Sequence, residues 1–273
     1  MADRELAPGL YEALLTRALE RRLDGLDASR VEPMRRTLGD GEAADRVARH
    51  LAELVVRTIE AEPEGSRADV AAAIADALVA RLATTAKGID ADEDVPLRPA
   101  QVLAAILRRR PDGSAAALEM PLTPLLDTTL LTNSRGEPAV VHELRAEVDS
   151  ADAIDVVMAF VRWSGIRPFV EVLRRHCEAG KPLRVVTTTY TNSTEPRALE
   201  ELVSLGADVK VSYDTTSTRL HAKAWVFHRR SGYSTAYVGS SNLTHSALVN
   251  GLEWNVRVSG ARNPDVIAKM GAV

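Results

Sequence analysis

Cysteine is almost absent from this chain of 273 residues, which has a single one, Cys177. One cysteine excludes a disulfide within the chain and a metal cluster built on several thiolates, and we expect Cys177 to be a helix residue without chemistry of its own. No apolar run approaches the roughly 20 residues that a membrane-spanning helix needs. The first ten residues, MADRELAPGL, lack the basic and apolar segments of a secretory signal. We therefore expect a bacterial-type cytoplasmic protein with no membrane partner.

An excess of positive charge is also missing, because 34 basic side chains face 38 acidic ones and the net charge is −4. Domains that bind duplex DNA usually carry a basic excess. The balance reverses locally between residues 217 and 230, which contain Arg219, Lys223, Arg229, Arg230 and no acid. Such a patch can hold one phosphodiester group, whereas extended affinity would need another domain. For Arg229 and Arg230, a solvated hairpin turn is the equal alternative.

The first 110 residues show the periodicity of helices. Apolar residues recur at helical spacing in four stretches, namely Leu15–Leu26, Val47–Ile59, Val70–Leu82 and Val102–Leu107. Ser66 is placed to cap the third helix, and Pro99 suits the first turn of the fourth. We predict a helical N-terminal region, residues 1–118, that adds no strand to the main sheet. A scaffold or protein-contact role is favoured there over nucleic-acid binding.

After a Pro-Asp-Gly turn at residues 111–113 the pattern becomes alternating strands and helices. The predicted strands are Ile154–Val161, which is a nearly continuous apolar run, Leu183–Thr189 and Asp208–Tyr213. Alternation of this kind predicts parallel neighbouring strands with helical crossovers. A hairpin that follows them adds antiparallel pairing. The fold class predicted for residues 119–273 is therefore α/β, with a mixed sheet flanked by helices.

The hairpin carries a group of polar residues that suits a phosphate. His221 and Lys223 are two residues apart, and side chains with that spacing on a strand point to the same face. The next strand ends in Gly239-Ser-Ser-Asn242, where the glycine permits close approach of the backbone to a ligand. If the two strands pair, Ser240 and Asn242 lie beside the histidine and the lysine. One nucleophile or base, one cation and neutral donors match a tetrahedral phosphate.

Each of these residues has an expected role in phosphodiester cleavage. His221 is the candidate nucleophile, and Lys223 supplies positive charge without a metal ion or cofactor. Ser240, Asn242 and the backbone N–H groups from Ser241 to Leu243, at the start of a helix, donate hydrogen bonds. Glu253 is expected to orient His221 through Nδ1. A metal site at His221, His228 and Glu253 is disfavoured, since no paired carboxylates accompany them.

Aromatic residues follow two of the predicted strands. Trp163 comes after the first strand and Tyr190 after the second, and ligands of such sheets collect at the carboxyl ends of strands. Both are candidates to stack a base or to line a substrate groove, with a domain rim or a dimer contact as the equal alternative. Together with Arg219 and Ser241 they form our predicted substrate-binding set.

These motifs resemble the signature of the phospholipase D superfamily, H-x-K followed by G-S-x-N. Residues 127–258 resemble more narrowly the nuclease-like N-terminal domains of bacterial proteins that continue into a DEAD/DEAH-box helicase, through LLTNSRGEP, AFVRWSGIRPF and AYVGSSNLTHSAL. The resemblance implies a phospholipase D-like fold and a metal-independent phosphodiesterase with a phosphohistidine at His221. The superfamily motif has an aspartate five residues after the lysine, where this sequence has His228.

The superfamily uses two H-x-K sets, and this sequence has one, because His50, His142 and His176 have no lysine two residues later. We therefore expect either a homodimer in which two His221 face one another or an incomplete site. Two functions follow, namely a nuclease acting on DNA, and a non-catalytic DNA-binding or partner-docking module of a helicase or restriction-type system. RNA stays open as a substrate, and a lipid phosphodiesterase is less favoured because no amphipathic membrane helix is evident. The short stretch after the motif suggests a longer parent chain, in which a helicase domain is an expected partner.

Overall fold

The computed structural model describes residues 6–132, 134, 139–214, 219–244 and 253–272. The chain divides into two compact units, residues 1–105 and residues 106–273. The first unit contains three helices, α1 (Arg17–Asp24), α2 (Asp40–Glu60) and α3 (Arg67–Ala83), of which α2 and α3 contact each other. The predicted helices of this region are confirmed at these three places. None of the described side chains in the three helices is buried.

The ends of the N-terminal helices follow the capping preferences only in part. Thr16 caps α1, since its Oγ1 accepts a hydrogen bond from the N–H of Leu19 at 3.2 Å. Ser66 occupies the cap position of α3 as predicted, but its hydroxyl donates to the carbonyl of Pro63 at 3.0 Å. The cap hydrogen bond expected from Ser66 is therefore replaced by a turn within the preceding loop.

The predicted fourth helix is wrong. No helix occurs between residues 84 and 128, all of which the structure describes. Val102, Leu103 and Ile106 are 89, 77 and 87% exposed, so the apolar stripe that suggested the helix has no surface against which to pack. A short helix gains most of its stability from such packing, and helical spacing alone does not supply it.

The second unit is built on a seven-stranded sheet with the order β1-β7-β6-β5-β2-β3-β4. The strands are β1 (Thr129–Leu131), β2 (Ala153–Met158), β3 (Leu183–Thr188), β4 (Asp208–Ser212), β5 (Lys223–His228), β6 (Thr235–Gly239) and β7 (Asn255–Ser259). β2, β3 and β4 are parallel, and the remaining neighbours are antiparallel. The predicted mixed α/β sheet is confirmed. One detail differs, because β5 begins at Lys223 and His221 precedes the strand.

Five helices accompany the sheet, α4 (Val140–Ser150), α5 (Trp163–Ile166), α6 (Val170–Glu178), α7 (Pro196–Ser204) and α8 (Pro264–Gly271). The main core lies on one face of the sheet, where Tyr237, Trp225, Val156 and Val185 form a continuous buried row across four strands. Apolar residues of α4 and α6 belong to the same buried cluster. Each such side chain contributes about 1.5–3 kcal/mol on burial, so this face fixes the positions of β5 and β6.

A buried carboxylate holds the sheet together at the end where β5 finishes and β6 begins. Glu147 on α4 accepts hydrogen bonds from Arg257 Nε at 3.0 Å, Tyr237 Oη at 3.1 Å and Thr235 Oγ1 at 2.7 Å, and it pairs with Arg229. Burial alone would raise the pKa of Glu147, but the two arginines outweigh burial and hold the pKa below its usual value. This cluster links α4 to β6, to β7 and to the residue that follows β5. Glu147 is the counter-ion of both arginines.

The segment before β1 is tied to the second unit by side chains that accept its backbone N–H groups. The buried Glu143 accepts from Leu122 at 3.0 Å and Thr123 at 3.3 Å, and Asp149 accepts from Glu119 at 2.9 Å. Arg257 donates to the carbonyls of Pro124 and Asp127. These bonds account for a chain that lacks regular structure yet keeps a fixed path on the sheet.

Candidate active site

His221 and Lys223 lie next to each other at the start of β5. Lys223 Nζ is 3.1 Å from His221 Nδ1 and donates to the His221 carbonyl at 2.9 Å. The histidine is exposed, whereas Lys223 is only 9% exposed. Burial lowers the pKa of Lys223, and the nearby carboxylate of Glu253 opposes that shift. The ammonium of Lys223 is therefore held against both the ring and the backbone of His221.

The end of β2 supports both parts of the motif. Phe160 meets the His221 ring edge-on, with centroids 5.9 Å apart. Its carbonyl accepts the N–H of Leu243 at 3.2 Å, and the N–H of Ala159 donates to Ala222 at 3.0 Å. Phe160 was not among the predicted site residues, and the structure places it half-buried against the candidate nucleophile. The bond to Phe160 also removes the N–H of Leu243 from the donors expected to face a phosphate.

Two glycines are required by close contacts between backbones. A Cβ on Gly165 would lie 2.0 Å from the carbonyl oxygen of Leu243, and a Cβ on Gly239 would lie 2.1 Å from that of Trp254. Gly239 was expected to admit a ligand, and the contact that the structure shows is with the neighbouring β7 segment. Sequence reasoning missed Gly165, which lets α5 approach the loop that carries the polar motif.

The polar residues after β6 are bound to the segment that leads into β7. Ser240 Oγ donates to Glu253 and accepts the N–H of Trp254 at 3.1 Å, while Asn255 Nδ2 donates to Ser241 Oγ at 2.8 Å. Among the described residues no hydrogen bond joins Glu253 to His221, so the orienting role of Glu253 stays a prediction. Asn255 was not among the predicted site residues. Its position directly after Glu253 and Trp254 at the start of a strand was the available signal.

A small cavity opens beside Lys223. Its polar lining consists of Lys223, Ser241, Asn242 and Asn255, and its apolar lining comes from α4 and from β5, β6 and Leu243. The Oδ1 atom of Asn242 is buried, and within the part of the chain that the structure describes it has no hydrogen-bond partner. Leaving a buried polar atom unpaired costs about 1–3 kcal/mol. The cavity therefore keeps an unsatisfied polar group next to a buried cation, as a ligand site does. The predicted helix after the motif, including His245, falls on residues 245–252 and lies outside the described residues.

The predicted substrate-binding aromatics each lie under an arginine. The Arg219 guanidinium is 5.3 Å from the centre of the Tyr190 ring, and Nη1 donates to its hydroxyl at 3.4 Å. The Arg197 guanidinium lies 4.3 Å above the Trp163 ring. The Trp163 N–H donates to Glu195 at 2.8 Å, which anchors the start of α5 on the segment before α7. Arg197 was not predicted, because α7 showed no sequence signal beyond an ordinary amphipathic helix.

His228 and the two following arginines lie at the opposite end of β5 from His221, about 20 Å away along an extended chain. His228 Nε2 is 2.8 Å from Asp155, which also pairs with Arg184. Arg229 is buried with Glu147, and Arg230 pairs with Asp152 at 3.3 Å. The predicted basic patch is therefore wrong, and only Arg219 and Lys223 remain at the site. The residue that stands in for the superfamily aspartate has no contact with the candidate nucleophile.

Among the described residues, no cluster of three or more histidine, cysteine, aspartate or glutamate side chains is arranged to hold a metal ion. Of the helices that the structure describes, none has the length and apolarity required to cross a membrane.

Residues 144–271 match the family model described as "Cardiolipin synthase, PLD-like domain". Residues 144–271 are therefore similar to a phospholipase D-like domain. No curated protein matches the chain. The matched range begins inside α4 and runs through α8, so the PLD-like domain includes His221, Lys223, the loop after β6 and Glu253.

Several solved structures are similar to this domain. NucT from Helicobacter pylori is 13% identical, with 54% of this chain and 91% of that chain covered and a TM-score of 0.40. Nuc from Salmonella typhimurium, a phospholipase D family member, is 16% identical, with 53 and 90% covered and a TM-score of 0.39. Polyphosphate kinase from Porphyromonas gingivalis is 16% identical, with 52 and 24% covered and a TM-score of 0.38. Similarity at this level concerns part of the fold and carries no conclusion about activity.

Proposed function

We propose that the PLD-like domain cleaves phosphodiester bonds in nucleic acid, with DNA as the expected substrate, and that it does so without a metal ion through a covalent phosphohistidine at His221. The observation that carries this proposal is the pairing of an exposed imidazole with a buried ammonium, 3.1 Å apart, at a cavity lined by Ser241, Asn242 and Asn255. A nucleophile and a fixed positive charge are the two groups that phosphoryl transfer needs most.

The chemistry proceeds in two displacements. A ring nitrogen of His221 attacks phosphorus and forms an N–P bond, while the P–O bond to the leaving oxygen breaks and that oxygen takes a proton from an acid. Water then attacks the phosphohistidine and gives a proton to the group that served as the acid, the N–P bond breaks and the imidazole is regenerated. Lys223 neutralises the phosphoryl oxygens in both steps, and its burial strengthens that interaction.

The acid is supplied by a second copy of the chain in this proposal. A two-fold homodimer would place the protonated His221 of one copy across from the unprotonated His221 of the other. Such a pair of roles requires an activity optimum in the histidine range, about pH 5 to 8. In dimers that combine one wild-type chain with one His221→Ala chain, nearly all activity should be lost. Full activity of a monomer in light scattering would contradict the shared site.

A second candidate function has an observation in its favour. The arginines that were expected to form a basic patch are bound to Glu147 and Asp152, which leaves little positive charge for holding a long polyanion. The domain would then be a non-catalytic DNA-binding or partner-docking module. In either case we propose that a helicase domain, in the same longer chain or as a partner, delivers the nucleic acid, and that the helical region over residues 1–118 makes protein contacts.

Plasmid nicking in EDTA separates the two functions. We expect the wild-type chain to nick supercoiled DNA in the chelator and His221→Ala to be inactive, because the nucleophile is missing. His228→Ala is the matched control, since it removes an imidazole from the other end of the same strand. Nicking that persists in His221→Ala, or that needs added Mg²⁺ in the wild-type chain, would contradict the phosphohistidine proposal. An inactive wild-type dimer that binds DNA would favour the docking module.

A further inference from the structure

Two arginine-on-aromatic pairs lie at the carboxyl ends of β2 and β3. Trp163 opens α5 just after β2, with the Arg197 guanidinium 4.3 Å above its ring, and Tyr190 follows β3, with the Arg219 guanidinium 5.3 Å from its ring centre. Both arginines are exposed and both aromatic residues are half-buried. Each pair, called a stack below, puts an exposed guanidinium beside a half-buried ring. None of the four side chains belongs to the buried network around Glu147.

The two stacks are attached to the candidate active site from different directions. Arg219 is two residues before His221 in the chain. Trp163 is three residues after Phe160, whose ring contacts His221 at 5.9 Å, and the N–H of Arg162 donates to Leu243 in the loop after β6 at 3.0 Å. A nucleic acid bound with one phosphate at His221 would therefore have one stack on the segment just before His221 and another on the segment just after Phe160.

The chemistry of the stacks selects unpaired bases. Bases inside a duplex already stack on one another and present only their edges, whereas unpaired bases stack on aromatic rings and on guanidinium planes. Duplex binding depends mainly on many phosphate contacts from basic side chains. This chain has a net charge of −4. Two arginines of its expected basic patch, Arg229 and Arg230, form ion pairs with Glu147 and Asp152. The surface therefore offers rings and guanidinium groups on which unpaired bases can stack. It lacks the excess of basic side chains that duplex binding would require.

We infer that the site takes single-stranded nucleic acid, with bases flanking the reacting phosphate stacked on the Trp163–Arg197 and Tyr190–Arg219 pairs. This inference rests on the proposed function for the location of the reacting phosphate. Stacking of this kind tolerates any base, so the site distinguishes single strands from duplexes and has little preference for a base sequence. Arg197 acts as a platform, and its positive charge is secondary.

Binding can be measured apart from cleavage with the His221→Ala chain. A fluorescein-labelled DNA strand of mixed sequence, alone or annealed to its complement, is titrated and followed by fluorescence anisotropy at fixed salt. Trp163→Ala, Tyr190→Ala, Arg197→Ala and Arg197→Lys are added to that background. Tyr233→Ala is the control, because Tyr233 is an exposed tyrosine in the β5–β6 turn at the far end of β5. Arg197→Lys keeps the charge and removes the plane, and it leaves the partly buried ring of Trp163 in place.

We expect the single strand to bind at least about tenfold more tightly than the duplex, and each stack variant to weaken single-strand binding by about tenfold. Arg197→Lys should lose nearly as much as Arg197→Ala, and Tyr233→Ala should bind like its parent. Equal or tighter duplex binding, no binding of either DNA, or a Tyr190→Ala variant no weaker than Tyr233→Ala would overturn the inference. Failure of the proposed function is distinct, since a wild-type chain without nicking activity would still show the expected anisotropy results.

Discussion

The two ends of β5 carry similar residues and serve different purposes. At its start, His221 and Lys223 meet at a cavity where a buried amide oxygen of Asn242 has no partner among the described residues. At its other end, His228 pairs with Asp155 and Arg229 with Glu147. A histidine and a cation therefore occur at both ends, and their partners differ. Charges that are neutralised by buried carboxylates stabilise a fold, whereas the buried cation of Lys223 beside an exposed histidine favours an anionic ligand.

The comparison also explains how the chain departs from the superfamily motif without losing the candidate site. The position five residues after Lys223 lies about 20 Å from His221 along the strand. His228 there makes its bond to Asp155 on the neighbouring strand β2. The residue at that position therefore contacts a neighbouring strand, away from the group around Lys223.

Removal of Glu147 should have the largest effect on stability. In Glu147→Ala the buried Arg257 and Arg229 lose their counter-ion, and breaking a buried pair in this way costs about 3–5 kcal/mol. Urea unfolding followed by circular dichroism measures the change. Asp152→Ala, which breaks an exposed pair with Arg230, is the control and should cost at most about 1 kcal/mol. Equal losses in the two variants would show that the lower end of β5 is not held by this cluster.

A methyl group at Gly165 should damage activity more than stability. In Gly165→Ala the added Cβ would lie 2.0 Å from the carbonyl oxygen of Leu243, so the loop that carries Asn242 has to move. Overpacking costs about 1–3 kcal/mol, and a displacement of about 1 Å in a site can cost about a hundredfold in rate. Nicking rates and urea midpoints are compared for this variant. Gly180→Ala is the matched control, because nothing lies within 4 Å of its added Cβ and its cost should come from backbone strain alone. An unchanged nicking rate in Gly165→Ala would mean that the loop position does not matter.

Loss of the Asn255 amide should have a moderate effect. Asn255→Ala removes the hydrogen bond to Ser241 Oγ inside the cavity, and a buried hydrogen bond of this kind contributes about 1 kcal/mol. We expect a roughly tenfold decrease in kcat with a smaller change in KM, because Asn255 positions a donor and is not itself a catalytic residue. Asn255→Ser, which keeps a donor, should recover part of the rate. A change in KM alone would assign Asn255 to substrate binding.

The smallest expected effect is a pH dependence of stability that arises from Asp155, beside His228 at the carboxyl end of β5. Burial alone would raise the pKa of Asp155, but Arg184 and His228 outweigh burial and hold its pKa below the usual value. A carboxyl group with a lowered pKa in the folded state stabilises the fold fully above its unfolded pKa, which is about 3.9. That contribution is lost as the pH falls toward the folded pKa. The stability difference between wild type and Asp155→Asn should therefore be constant above about pH 5 and shrink below about pH 4. A difference that grows on acidification would contradict the assigned pairing.

The sequence predicted the sheet and much of the site, for reasons visible in particular residues. The run from Ile154 to Met158 is apolar except for Asp155, because β2 is central and buried on its core face, and the alternation of strands and helices that follows it reflects helical crossovers. His221, Lys223, Ser240 and Asn242 share one end of the sheet because they flank a hairpin.

The remaining features depend on contacts that span long distances in the chain. Arg229 could not be assigned to Glu147 from sequence, because 82 residues separate them. Likewise, the contact of Gly165 with Leu243 and the stacking of Arg197 on Trp163 arise only when the folded crossovers bring these segments together. The apolar residues from Val102 to Leu107 have helical spacing, but they are exposed and pack against no other surface. Spacing in the sequence cannot show whether such a surface exists.

The central claim is that His221 becomes covalently attached to phosphorus while the equivalent residue at the other end of β5 does not take part. DNA labelled with ³²P is mixed with the enzyme in EDTA, and the reaction is quenched in alkali and denaturant, because phosphohistidine is stable in base. The account predicts that labelled protein appears in the wild-type chain and in His228→Ala and is absent from His221→Ala. Label that remains on His221→Ala, or wild-type cleavage with no labelled protein at any quench time, would contradict it.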